Sequence, residues 1–248
     1  MKGFMRLLAS DLRFGTRSIA WRLFLVAAVI LAVGFVSMST VGMFAPELKG
    51  QMNLGECIFA LFAGMEKFIP ETGHEFKFPI SWLVLFIVTA YVVFDYPVRD
   101  LSRMGARIIA VTGNRWQWWL AKCAWVLILT LAIWMLMALV CVIGAALQGG
   151  FNPVPVPEIA KYSGIMTQAP VEGSMLPFLL AMPFVLCAIM MIQLLVSVAA
   201  GPVVGLVVTT AMLLASAFYV TPALLGNSLM AAMPMSPCTE VWIRFRVC

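Results

Sequence analysis

Long apolar runs almost free of charge divide this chain and leave it few possible folds. A helix of about 20 apolar residues is long enough to cross the roughly 30 Å hydrocarbon layer of a bilayer. Hydrophobic residues make up 63% of the 248 and charged residues only 11%, whereas a soluble domain has about 25% charged residues. The sequence therefore predicts an all-α integral membrane protein with about five transmembrane helices, at about 21–44, 80–96, 118–147, 175–199 and 203–225.

Positive charge is concentrated in two parts of the chain, and this indicates how the chain is oriented. Ten of the 16 Lys and Arg lie in 1–22 and 99–122. Because loops rich in Lys and Arg stay on the cytoplasmic side, we expect both segments inside, in a multi-pass protein of the cell membrane with a cytoplasmic N-terminus. Residues 1–20 also carry basic and apolar side chains at helical spacing, which predicts an amphipathic helix on the inner membrane surface.

The remaining connections carry few positive charges and are predicted to lie outside. Residues 45–79 have more Glu than Lys, and apolar side chains at helical spacing within 54–68 predict a short interfacial or re-entrant helix. Residues 226–248 are too short and too charged to form another span. They are either a short extracytoplasmic tail or the truncated region of a sixth span.

The segment 97–115, between the second and third predicted spans, carries charge in a helical order. Residues four apart share one face of a helix, which places three arginines on one side and three apolar residues on the next. The arginines are Arg99, Arg103 and Arg107, the apolar residues are Leu101, Met104 and Ile108, and Asp95 and Asp100 are placed to pair with Arg99 and Arg103. This predicts a short basic amphipathic helix at the inner surface. It either only fixes the topology or docks a cytoplasmic partner.

An aromatic and cationic group follows where the third predicted span begins. Its members are Arg115, Trp116, Trp118, Trp119 and Lys122. Tryptophans concentrate at membrane–water interfaces, and a long lysine side chain near a helix end can reach the headgroups. We therefore expect these residues to be membrane-interface anchors, with the Lys122 ammonium extended toward water.

Motifs for catalysis and metal binding are missing from the sequence. There is no Gly-x-x-x-x-Gly-Lys-[Ser/Thr] phosphate loop, no His-Glu-x-x-His and no Gly-x-Ser-x-Gly, and His74 is the only histidine. The six cysteines have no metal-binding spacing; Cys57, Cys238 and Cys248 are either free apolar thiols or partners in a disulfide. The sequence therefore predicts no enzyme, no metal and no cofactor in this chain. The charge of +5 reflects orientation signals, so no nucleic-acid partner is predicted.

Within the predicted spans we find only weakly polar groups and no ionisable residue at mid-membrane depth. This argues against an ion-coupled carrier and an intramembrane protease, which need acids, bases or metal ligands there. Gln193 is predicted to make an interhelical hydrogen bond rather than a ligand contact. Gln193, Thr209 and Thr210 are nevertheless the candidates for lining a pathway.

Two stretches resemble a known family. Asp95-Tyr-Pro-Val-Arg-Asp-Leu101, followed by Arg107-Ile-Ile-Ala-Val-Thr-Gly-Asn-Arg-Trp-Gln-Trp-Trp-Leu-Ala-Lys122, is similar to the cytoplasmic stretch between the second and third spans of ABC-2-type transporter permeases. The resemblance implies a coupling helix at about 98–111 that docks a cytoplasmic ATP-binding subunit, with ATP bound only there. It also implies a second permease, identical or different, and a path lined by the second and fifth spans. The family usually has six spans, one more than this sequence predicts.

Two functional hypotheses follow. The first is a permease subunit that moves an apolar or amphipathic substrate, such as a peptide, drug or lipid, with ATP hydrolysed by the separate subunit. The alternative is a non-transporting membrane scaffold or sensor, whose basic helix binds anionic lipid or a signalling partner. Membrane lipids are expected partners in both.

Overall fold

The computed structural model describes residues 2–48, 50–64, 78–105, 115–163, 173–219 and 224–231, and these residues are mostly helical. Within them the helices are α1 (Lys2–Ser10), α2 (Ala20–Phe44), α3 (Leu54–Phe62), α4 (Ile80–Val93), α5 (Tyr96–Asp100), α6 (Arg115–Gln148), α7 (Pro157–Ser163), α8 (Leu176–Ala200) and α9 (Pro202–Phe218). Wider π-type turns continue α1 over Asp11–Gly15 and α5 over Leu101–Gly105.

Four helices among the described residues are long and apolar enough to cross a membrane. They are α2, α4 continued through α5 (Ile80–Asp100), α6 and α8, which coincide with the first four predicted spans to within a few residues. The chain is therefore compatible with a multi-pass membrane protein. The fifth predicted span corresponds to α9, an apolar helix of 17 residues and thus about 26 Å long. The count of five spans stays a prediction.

The side chains divide between a packed interior and an apolar outer surface. Trp82 and Trp125 are buried between helices, whereas Phe24 and Phe184 each expose 77% of their surface. Large apolar side chains are seldom exposed so extensively by proteins in water. A lipid environment around the long helices accounts for this surface.

A tight turn makes α8 and α9 neighbours. Gly201 has φ +103°, a conformation that only glycine adopts without strain, and Pro202 then begins α9, where its missing N–H costs nothing. One turn on, Gly205 lies directly against the side chain of Ser197. The uncharged Gly-Pro turn thus sets the two helices in close antiparallel contact.

The short helix predicted within 54–68 exists and is enclosed by protein, while its interfacial or re-entrant position stays a prediction. Every residue of α3 is buried. Its Phe62 ring lies 6.5 Å from Phe86 of α4 and 6.1 Å from Phe178 of α8, measured between centroids. α3 is therefore part of the core of the bundle, held between two of the long helices. The rest of the predicted segment, 65–68, lies outside the described residues.

The connections predicted to lie outside meet at one end of the bundle, which we call the loop end (residues 45–64, 149–163, 173–176 and 224–231). The Glu56 carboxyl accepts hydrogen bonds from the backbone N–H of Asn53 at 2.8 Å and of Val156 at 2.6 Å. The Ala231 N–H bonds the carbonyl of Phe62 at 2.7 Å. The bond from Ala231 places residues 224–231 beside α3, while 232–248 lie outside the described residues.

Cys57 is expected to resist alkylation by a maleimide at about pH 7.5 while the protein is folded. It is a free, fully buried thiol. Burial, helped by the nearby Glu56 carboxyl, raises its pKa from 9.0 to about 12, so the reactive thiolate is about a thousandfold rarer than at an ordinary cysteine. Peptide mapping by mass spectrometry after labelling in detergent measures this, with the unfolded chain as the control. Equal labelling of Cys57 in both states would contradict the buried position of α3.

Candidate functional site at the basic end of the bundle

The two segments predicted to be cytoplasmic meet at the opposite end, which we call the basic end (residues 2–22, 95–105 and 115–125). At its centre the Lys122 ammonium donates to the Asp11 carboxylate at 2.5 Å and to the Asp100 carboxylate at 2.8 Å. Three separate stretches of chain are thereby joined by a single side chain.

Lys122 does not extend toward water as expected, because only 1% of its surface is exposed. The 34 residues of α6 span about 51 Å, more than the 40–45 Å thickness of a whole bilayer. The first turns of α6 therefore have room to pack against protein, and the N-terminal segment and α5 cover them. The ammonium also lies 4.8 Å from the ring centroid of Tyr96, so its partners are carboxylates and an aromatic face.

Both carboxylates that hold Lys122 have a second donor. The Tyr96 hydroxyl donates to Asp11 at 2.7 Å, and the Trp118 indole N–H donates to Asp100 at 3.0 Å. Trp118 is 5% exposed, so its indole is enclosed by protein, and its role as a membrane-interface anchor stays a prediction. Its indole is needed inside, because a buried carboxylate costs free energy unless hydrogen bonds satisfy it.

A second ion cluster lies beside the first. The Arg22 guanidinium of α2 bonds the Asp95 carboxylate at 2.5 Å, and Arg99 approaches the same carboxylate at 3.3 Å. The Asp95–Arg99 pair was expected from the sequence, but the link to the first span was not. Arg22 also lies 4.8 Å from the Tyr91 ring centroid, a favourable position for a cation.

Together the two clusters contain three acids and three bases, so their formal charges cancel. The acids are Asp11, Asp95 and Asp100, and the bases are Arg22, Arg99 and Lys122. We call this set the ion network. An uncompensated buried charge is strongly destabilising, so the buried members, Asp11, Arg22 and Lys122, depend on their partners. The network fixes α5 to α2 at one end, and to α6 and the N-terminal segment at the other.

The structure describes the predicted docking helix only in part. Arg99 is exposed over 46% of its side chain and Leu101 is partly buried. Asp100 binds Lys122 and Trp118. The side chains of Arg103, Met104, Arg107 and Ile108 are outside the part that the structure describes, so the expected Asp100–Arg103 pair stays a prediction. Beyond Asp100 the backbone forms a wider π-type turn over Leu101–Gly105. The four-residue spacing of an α-helix therefore does not continue unchanged past α5.

The remaining predicted membrane-interface anchors differ in how far their side chains are exposed. Arg115 and Trp116 are exposed, Trp116 by 72%, and Trp119 is partly buried. Between them Gln117 packs against Gly3 of α1. Arg115 and Trp116 thus remain placed to contact headgroups, whereas Trp118 and Lys122 point into the protein.

The predicted pathway residues lie on two packed helices, Gln193 on α8 and Thr209 and Thr210 on α9; we call these three residues the polar spot. Gln193 is fully buried and donates from its Nε2 to the Ala90 carbonyl at 2.8 Å, which is the interhelical bond expected from the sequence. Thr209 is also fully buried and Thr210 partly so. Within the described part of the chain, the Gln193 Oε1 and Thr209 Oγ1 atoms have no hydrogen-bond partner. The spot is uncharged, so its chemistry suits weakly polar or apolar groups.

Among the described residues, no group of three or more His, Cys, Asp or Glu side chains is arranged to hold a metal ion. Comparison with protein-family models, curated proteins and solved structures found no match to the chain.

Beyond the expected pairing of Asp95 and Asp100 with Arg99 and Arg103, the sequence carries one more signal for the ion network. Asp11, Asp95 and Asp100 are acids placed within or beside strongly basic segments. A segment that only needs positive charge for orientation has no use for acids. Acids there therefore indicate internal partners, although their pairing requires the fold.

Proposed function

We propose that this chain is the permease subunit of an ATP-binding cassette transporter, driven by ATP that a separate cytoplasmic subunit hydrolyses. The observation that supports it is the attachment of α5. Asp95 at its start is held by Arg22 of the first long helix, and Asp100 at its end by Lys122 of α6. A segment that receives force from a partner must be joined firmly to the helices it moves.

Both ion pairs that join α5 to the long helices are short, and each has a buried cation, Arg22 or Lys122, and a partly buried carboxylate. A partner pressing on the turn Leu101–Gly105 would displace Asp100 and thereby α6, because Lys122 has no access to water that could replace its carboxylates. The same movement would act on α2 through Asp95 and Arg22. In this proposal, closure of the ATP-binding subunits tilts α2 and α6 together.

The energy source and the substrate class follow from chemistry. The sequence has no phosphate loop, and the resemblance to ABC-2-type permeases implies that the partner binds the ATP. The polar spot at Gln193 and Thr209 is uncharged, and such a lining favours an apolar or amphipathic substrate, such as a peptide, drug or lipid, over a free ion. A second permease, identical or different, completes the transporter.

The charge-reversal variant R103E/R107E is expected to lose its ATP-binding subunit. The wild-type chain, purified from membranes in mild detergent, should carry a phosphate-loop ATPase in about equal amount, and the variant at most about a tenth of that, because like charges at a docking surface cost several kcal/mol. The matched control R13E/R17E makes the same charge change elsewhere at the basic end and should keep the ATPase. Quantitative mass spectrometry of the purified complexes measures the ratio.

Two results would contradict the proposed function. One is an R103E/R107E variant that retains the ATPase and couples its hydrolysis to transport as the wild type does. The other is a wild-type preparation that carries lipid but no ATPase, which would favour the scaffold or sensor.

A further inference from the structure

The basic end has an outer surface that the ion network does not use. Its cations are Arg6, Arg13, Arg17 and Arg115, all exposed, and we call them the basic face. We propose that the basic face binds the anionic headgroups of phospholipids in the adjoining leaflet, so that this end of the protein selects acidic lipid. The inference does not depend on the proposed transport function.

At this end the acidic side chains lie inside the protein and the arginines of the basic face lie on its surface. The acids Asp11, Asp95 and Asp100 are turned inward and bound by the ion network. None of the four arginines of the basic face makes an ion pair with any described residue. Asp11, the acid two residues before Arg13 in the sequence, is bound by Lys122 instead. The outer surface is therefore left with positive charge alone, which is the complement of an anionic leaflet.

Apolar side chains on the same surface favour a bilayer over an acidic protein or a nucleic acid. Phe14, Trp21 and Trp116 expose 62%, 58% and 72% of their surface, and Met5 exposes 59%. The Arg13 guanidinium lies 5.6 Å from the Phe14 ring centroid. Aromatic rings mixed with cations are typical of the headgroup layer, where one part of each side chain meets hydrocarbon and the other meets water. A purely electrostatic partner would leave these apolar side chains in water.

The packing of the N-terminal segment places the basic face at a suitable depth. Gly3 contacts Gln117, Asp11 binds Lys122, and the Trp125 indole donates to Thr16 at 3.4 Å. These contacts extend from Gln117 to Trp125 of α6, a rise of about 12 Å. α6 is about 20 Å longer than the hydrocarbon layer, so this strip fits within the excess length. The arginines beside it then lie among the headgroups.

Lipid bound by the purified protein tests the proposal. The full chain is reconstituted in vesicles of about three parts phosphatidylcholine to one part phosphatidylglycerol, extracted gently, and its retained lipids are quantified. We expect phosphatidylglycerol to be enriched at least about threefold over the vesicles, and the enrichment to fall with salt as exposed charges are screened. In the variant R6Q/R13Q/R17Q/R115Q the retained lipid should return to the composition of the vesicles.

The matched variant R6K/R13K/R17K/R115K keeps the charge and should keep the enrichment. Both variants change exposed side chains only, so their unfolding midpoints should equal that of the wild type, which shows that a loss of lipid is not a loss of fold. Enrichment that survives the glutamine substitutions would overturn the proposal. Glutamine variants that lose a cytoplasmic ATPase but retain phosphatidylglycerol would reassign the basic face to protein docking, whereas loss of the lipid alone leaves the proposed function untouched.

Discussion

Replacing Lys122 with methionine is expected to destabilise the folded protein by about 3–5 kcal/mol, the usual cost of removing one partner from a buried ion pair. Methionine matches the length of the lysine side chain but leaves the Asp11 and Asp100 carboxylates facing each other without a cation. Their remaining donors, Tyr96 and Trp118, supply hydrogen bonds but no charge. Reversible unfolding of the detergent-solubilised protein, followed by helical circular dichroism, measures the loss.

Removing the two acids as well provides the decisive comparison. The triple variant D11N/D100N/K122M has no unpaired charge, and it should recover at least half of the stability lost in K122M, because a buried ion cluster can be replaced by neutral groups at little cost. K122R, which keeps the charge but adds bulk, should lie between the wild type and K122M. A K122M variant as stable as the wild type would show that Lys122 is solvated and that the ion network does not hold the basic end together.

Replacing Glu56 with leucine should cost about 3 kcal/mol at the other end of the bundle. The Glu56 carboxyl accepts from the N–H groups of Asn53 and Val156, and its residue is fully buried. Leucine is similar in size but leaves both donors without their acceptor, and each buried donor left unsatisfied costs about 1–3 kcal/mol. Because the bond to Val156 ties the connection after α6 to α3, we also expect faster proteolysis near residues 150–156.

Glu47 supplies the control for this substitution, because it is an exposed acid near the same end. E47L should change stability by less than about 0.5 kcal/mol, as surface substitutions do, and E56Q should fall between E56L and the wild type since its amide retains one acceptor oxygen. Equal unfolding midpoints for E56L and E47L would mean that Glu56 does not hold the loop end together.

The long helices were largely predictable because the bilayer is a strong and local constraint. Each long helix must be apolar along its length, so a run of apolar residues indicates where the helix begins and ends. The first predicted span, 21–44, corresponds to Ala20–Phe44, and the fourth, 175–199, to Leu176–Ala200. The tight turn at Gly201-Pro202 also has a local cause, because it depends on those two residues alone. The fifth predicted span corresponds to a shorter helix, because α9 is only 17 residues long.

Apart from the Asp95–Arg99 pair, which is four residues apart on one helix, the side-chain partners at the basic end were not predictable from the same patterns. Lys122 lies at the start of an apolar run, and this pattern is the same whether its side chain extends to the headgroups or turns inward. Trp118 is likewise typical of an interface in either case. Asp11 is 111 positions from Lys122 and Asp95 is 73 from Arg22. A pattern of nearby residues in the sequence cannot indicate contacts between residues that are so many positions apart.

By itself, the sequence determined that the chain must be a bundle of apolar helices with its positive charge gathered at one end, because water and lipid act on every residue independently of its neighbours in space. Only the tertiary structure decided which of those charges are paired inside and which face outward. That choice depends on distances of a few ångströms between segments far apart in the chain, since a carboxylate neutralises a buried lysine only when packing brings the two into contact.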